Sequence, residues 1–154
     1  KLNREAGGPG FHDVRTYGGA GTTFYEPADR AGPAFDRRTV YRFSPRGERS
    51  AVLETFDCPD PSAATPRRQV TTTPLQALAL WNNALVLRLA DDLAARVTAD
   101  AATAEARIRV MYRLALGRAP TAEEAKLSAG LVAKHGLPAL ARVLFNANEF
   151  VVLQ

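Results

Sequence analysis

Cysteine occurs once in the 154 residues, at Cys58, so no intrachain disulfide and no cluster of thiolate ligands can form. A Cys-x-x-Cys-His stretch is therefore absent, which excludes covalent c-type haem attachment within these residues. No apolar run approaches the ~20 residues that a bilayer-crossing helix requires. Histidine is confined to His12 and His135, and lysine to Lys1, Lys126 and Lys134, so arginine carries nearly all the positive charge. With abundant alanine, that bias points to a GC-rich coding sequence. No methionine opens the chain, and no basic-then-apolar leader stands at its head, so a fragment or processed piece of a longer polypeptide is expected. Phosphate-binding glycine loops, zinc helix signatures and serine elbows are also missing.

What is present is an ordinary globular composition, 46% hydrophobic and 23% charged. A domain of this length buries roughly 70% of the surface its unfolded chain exposes, enough for a real core. The net charge of +4 divides equally between residues 1–70 and 71–154. Basic residues are interspersed with acidic ones and form no stripe, and no aromatic-basic motif accompanies them, which argues against nucleic-acid binding.

Residues 1–70 hold seven of the ten prolines and eight of the eleven glycines, including Gly7-Gly8-Pro9-Gly10 and Gly18-Gly19-Ala20-Gly21. Such punctuation dictates turns and forbids long helices. Thr22–Tyr25 and Thr39–Phe43 concentrate β-branched and aromatic residues, and the two are expected to pair as a small ribbon with an aromatic edge. Val52, Leu53 and Phe56 favour a short helix over Ser50–Phe56.

Residues 71–154 carry helical periodicity with capping chemistry at its boundaries. Thr73-Pro74 reads as an N-cap followed by proline at the first helical position. Leu75, Leu78 and Leu80 begin an apolar face, and Trp81 is assigned to the core. Asn82-Asn83 predicts a break, followed by a helix with Leu85, Leu89, Leu93 and Val97 on its buried stripe. A third helix over about Ala104–Leu116 should bury Ile108, Met111, Tyr112 and Ala115 and stop at Gly117. Thr121-Ala122-Glu123-Glu124 is a capping box, its helix ending near Gly136, and Pro138 opens a last helix with Leu140, Val143 and Leu144 inward. Asn82 and Asn146 are expected to cap helix ends. The expected architecture is mainly α, a bundle of about five helices over 71–154, with an irregular lobe of short β structure over 1–70 packed on it. Together they would make one domain or the C-terminal part of one.

The run PRRQVTTTPLQALALWNN, preceded by RRTVYRF and LETFDCPDPS and followed by YRLALGRAPTAEE and LFNANEFVVL, resembles the C-terminal part of a planctomycete-type domain of unknown function. The likeness extends from about Gly7 to Leu153. Many members carry Asp-Pro where Asn83-Ala84 stands here. The resemblance implies a large exported, periplasmic or envelope protein that often also carries a cytochrome-c-like segment. It implies no catalytic residues, and no cofactor is expected within these residues. Expected partners are the remainder of the same polypeptide or another envelope protein.

Candidate ligand contacts gather at the junction between the halves. Arg67 and Arg68 precede a helix start, where guanidinium forks, exposed amides and the Thr71, Thr72 and Thr73 hydroxyls suit carboxylate, sulfate or phosphate. The alternative is that both arginines pair with Asp57, Asp60 or a carbonyl and tie the loop down. Tyr41-Arg42 and Arg37-Arg38 beside Asp57 offer a similar choice between a sugar or acid site and a loop lock. Cys58 lacks an obvious histidine base and reads as a buried or inert thiol. His12, Asp13, Glu26, Asp29 and Asp36 supply metal-ligand atoms, but their spacing matches no calcium loop. The leading expectation is a structural or interaction module. The alternative is part of an enzyme or binding assembly acting on an anionic polysaccharide, linked to a haem segment outside these residues.

Overall fold

Ala20 and Gly21 stand at φ 54° and 84°, the positive pair that a type I′ turn requires, and the chain reverses there into a hairpin. The computed structural model describes residues 2–28, 30–45, 48, 50–60, 63–67, 71 and 73–151. The chain divides into two units, Lys1–Thr73 and Pro74–Gln154.

In the first unit, strand β1 (Val14–Gly19) pairs antiparallel with β2 (Thr22–Pro27), with Val14 opposite Pro27 and Tyr17 opposite Phe24. The facing rings of Tyr17 and Phe24 stack with centroids 5.6 Å apart, the kind of cross-strand contact that stabilises an otherwise exposed ribbon. Thr22–Tyr25 is thus a strand as expected, but its partner is not Thr39–Phe43. Thr39–Tyr41 forms a turn of 3-10 helix, Val40 is 79% exposed, and Arg42 makes only an isolated bridge with Phe11. The adjacent segment wins because closing a two-residue loop costs far less chain entropy than closing one of more than a dozen. The expected short helix is present as α1 (Ala51–Thr55).

The second unit contains α2 (Pro74–Asn82), α3 (Ala84–Asp100), α4 (Ala104–Leu116), α5 (Ala122–Phe145) and α6 (Asn148–Val151). Its boundaries follow local chemistry. Asn83 leaves the helical region between α2 and α3, and its side chain accepts the Leu85 N–H at 2.9 Å. Thr103 caps α4, and Gly117 closes it in the left-handed region at φ 74°. The Thr121–Glu124 capping box opens α5 with both reciprocal bonds formed. Within α5, Gly136 adopts φ 81°, ψ 173°, so the helix breaks there and resumes through Pro138. Asn82 and Asn146 donate to the carbonyls of Leu78 and Arg142, as helix-end residues should.

The core is built by α3, α4 and α5 around Ala90, Val97, Ile108, Met111, Tyr112, Leu140, Ala141 and Leu144. Tyr112 carries the one polar tip in this cluster, and its hydroxyl pairs with buried Ser128 Oγ at 3.2 Å. Which residues face inward departs from expectation at several positions. Leu85 and Leu89 are 40% and 43% exposed, and Ala90 and Ala94 take their place on the buried face of α3. Leu75 and Leu78 point outward while Gln76 is buried, and Val143 yields to Ala141. Trp81 is 40% exposed and covered on one side by the Arg142 guanidinium, 4.9 Å from its ring centroid. Alanines on the inner faces let the helices approach closely, and the bulkier leucines then find room only outside.

Arg118, just after α4, binds both oxygens of Glu124 on α5 and both of Glu149 on α6, each at 2.8 Å. These bonds, with the Thr121 amide, hold the Glu124 carboxyl down to about 2, and Arg118 lowers Glu149 in the same direction.

Two outcomes follow from this packing. Ala90→Leu should destabilise the unit by about 1–3 kcal/mol, because the added atoms enter a filled contact, measured by chemical denaturation. Because Glu124 is depressed in the folded state, its stabilisation is complete above its ordinary value of 4.5 and is lost as pH falls toward about 2. The melting temperature should therefore drop across that window, and Arg118→Met should flatten the drop.

Candidate functional site

Arg37 shows how the irregular unit uses its arginines. Its guanidinium donates to the carbonyls of Pro9 at 2.8 Å, Gly7 at 2.6 Å and Glu5 at 3.2 Å, and lies 3.9 Å over the Tyr41 ring. Tyr41 completes the lock by accepting the Gly7 N–H on its hydroxyl at 2.9 Å. Segment 5–10 has no sheet to satisfy its carbonyls, and a planar five-donor fork supplies the missing partners.

Arg42, adjacent in sequence, serves a different set. Its Nε donates to Asp13 Oδ2 at 2.8 Å, and Nη2 sits 3.1 Å from both oxygens of Glu48. The side chains of Arg42 and Glu48 are 8% and 4% exposed. Burial by itself would lower the guanidinium pKa, but the two carboxylates outweigh it and hold Arg42 above its ordinary value. Next to this pair, His12 stacks on Phe43 with centroids 4.3 Å apart. Among the described residues no group of three or more His, Cys, Asp or Glu side chains is arranged to hold a metal ion; Asp29 lies outside them.

Asp57 occupies the end of α1. Its N–H bonds to Glu54 O at 3.1 Å, and the following Cys58 N–H reaches Leu53 O at 2.9 Å, the two bonds of a Schellman stop. The stop requires a left-handed residue, and Asp57 supplies it at φ 57° where glycine is usual. The carboxylate then takes the Thr71 amide at 2.7 Å and the Thr71 hydroxyl at 2.9 Å. A helix terminus is thereby tied to the chain 14 residues on.

Of the residues that the sequence marks for ligand contact, Tyr41, Arg42 and Asp57 make bonds inside the first unit, in three separate groups. Arg67 is exposed and does not join Asp57. Arg68 and Thr72 lie outside the described residues. Cys58 is exposed, which removes the buried alternative of the buried-or-inert thiol expected, because it follows the helix stop at the surface. It lines a small concavity of 120 Å³ with Arg42, Glu48, Ser50 and Glu54.

A second concavity was not legible in the sequence. It is an open groove of 480 Å³ in the helical unit, flanked by Asp91 on α3 and by His135 and Arg142 on α5. These residues are more than forty positions apart across the groove, and only the packing of α3 on α5 brings them together. His135 and Arg142 lie on opposite sides of the Gly136 break, so no helical spacing in the sequence marks them as neighbours.

Removing Arg42 as Arg42→Met should leave Glu48 buried and uncompensated. The expected loss is about 2–4 kcal/mol, allowing for solvent access at Asp13, measured by thermal or urea unfolding. At Asp57, Gly should relieve backbone strain yet lose the clasp on Thr71, whereas Asn keeps an acceptor. Asp57→Asn should therefore melt above Asp57→Gly if the clasp outweighs the strain of order 1 kcal/mol.

No curated protein and no solved structure shows significant similarity to the chain. The sequence pattern of PSD1, a protein family of unknown function (DUF1553), matches residues 1–132. That span takes in the Arg37 and Arg42 locks, the Asp57 clasp and the helices through the first part of α5, and ends before LFNANEFVVL. With most of its length matched by this pattern, the chain belongs to the PSD1 (DUF1553) family.

Proposed function

We propose that this chain is a structural and interaction module of a large exported bacterial protein, engaging the remainder of that polypeptide or another envelope protein. The observation that carries the reading is the use made of its polar and apolar side chains. Tyr41, Arg42 and Asp57 are consumed by internal bonds, whereas Leu75 and Leu78 on α2 and Leu85 and Leu89 on α3 stand 40–68% exposed. Clustered arginines that satisfy their own backbone stabilise a scaffold. Outward leucines on neighbouring helices offer apolar area for a macromolecular contact. The exported setting rests on the family resemblance.

Single cysteines at Leu78 or Leu85, in a Cys58→Ser background, test this by thiol labelling. Labelling should be fast in the 154-residue chain and at least tenfold slower in the full-length native polypeptide or its envelope assembly. Equal rates in both settings would remove the interaction reading.

A further inference from the structure

The groove between α3 and the second half of α5 gathers three charged or titratable side chains, Asp91, His135 and Arg142, that do not pair with one another. Leu87 and Asp91 stand one turn apart on α3, facing His135, Pro138, Ala139 and Arg142 of α5. Leu87, Pro138 and Ala139 supply the apolar part of its open lining. Asp91 and His135 are exposed, and neither enters an ion pair or side-chain hydrogen bond among the described residues. Asp91 and Arg142 carry opposite charge and line the same groove, yet they do not pair with one another.

Arg142 is held in place from behind. One terminal nitrogen donates to the Trp81 carbonyl at 2.9 Å, and the guanidinium plane rests over the indole. Its Nε is buried with no acceptor. A guanidinium fixed by two contacts loses little further freedom when its remaining N–H groups meet a carboxylate. Asp91 has the opposite requirement, since an ionised carboxylate accepts hydrogen bonds and gives none. The Gly136 break lies between His135 and Pro138 and so sets the line of the groove wall.

We propose that this groove binds a small organic carboxylate that also carries a hydrogen-bond donor, hydroxyl or ammonium. The carboxylate meets Arg142 with His135, the carbon skeleton packs on Leu87, Pro138 and Ala139, and the donor reaches Asp91. The site lies wholly within the helical unit and stands independently of the interaction role proposed above.

Calorimetric titration of the 154-residue chain with D-galacturonate, 4-aminobutyrate and acetate tests this, with amide chemical-shift mapping alongside. Saturable binding of galacturonate or 4-aminobutyrate is expected, with shifts centred on Asp91, His135 and Arg142, and acetate about tenfold weaker for want of the donor. Preference for galacturonate identifies a hydroxy acid, and preference for 4-aminobutyrate a zwitterion. Asp91→Asn and His135→Gln replace exposed groups without fold contacts, and each should weaken binding by about tenfold at an unchanged melting temperature. Absence of saturable binding by both donor-bearing probes, shifts located elsewhere, acetate binding as tightly, or affinity indifferent to both substitutions would each overturn the proposal.

Discussion

Two fully buried alanines, Ala90 and Ala141, set the spacing of the helical unit. Both belong to the cluster shared by α3, α4 and α5, where small side chains permit a closer helix approach than branched ones, and Met111 in the same cluster is wholly enclosed. Leucines that would widen the contact turn outward, and Gln76 and Ser128 become the polar residues that the tight packing encloses. Ser128 has its partner in the Tyr112 hydroxyl, so the close approach does not strand it.

The irregular unit solves a different problem. Among its described residues one exposed hairpin and little buried apolar surface are present, and arginine satisfies backbone carbonyls and compensates enclosed carboxylates. Such pairs contribute little net energy relative to an apolar replacement, but they are unforgiving of partial loss. Arg37 fixes the path of residues 5–10, Arg42 fixes Asp13 against Glu48, and Asp57 fixes the end of α1 against Thr71. What these bonds confer is one geometry for a chain segment that secondary structure alone would leave undetermined.

Helix boundaries were readable from sequence wherever a local chemical rule set them. Asn83, Gly117, the Thr121–Glu124 box and the Gly136–Pro138 break each depend on residues within a turn of one another, and each appears where the pattern places it. The buried faces were less readable, because hydrophobicity ranks leucine above alanine whereas helix spacing selected alanine at positions 90, 94 and 141. The strand partner of Thr22–Tyr25 was also missed. Val14, Thr16 and Tyr17 ahead of an Ala-Gly turn carried the signal, but the glycines around them obscured it. For the candidate contacts, the sequence sets Tyr41, Arg42 and Asp57 beside one another, whereas the fold gives each its own partners: Gly7 and Arg37 for Tyr41, Asp13 and Glu48 for Arg42, and Thr71 for Asp57. The Arg118–Glu149 bond and the α3–α5 groove join residues far apart in the chain, and no spacing rule reaches across such a distance.

The order of contacts in the helical unit bears on how it forms. Helices α3, α4 and α5 follow one another along the chain and pack on one another, with only short connections between them. Low sequence separation between contacting residues places such an assembly among fast folders, since little loop entropy must be spent before burial repays it. In a chain made from its N-terminus, the last core residues to emerge are Leu140, Ala141 and Leu144, so the hydrophobic cluster cannot close until α5 has passed its Gly136 break. That glycine therefore divides the growing helix into an early half, already capped by Thr121 and Glu124, and a late half whose arrival commits the core.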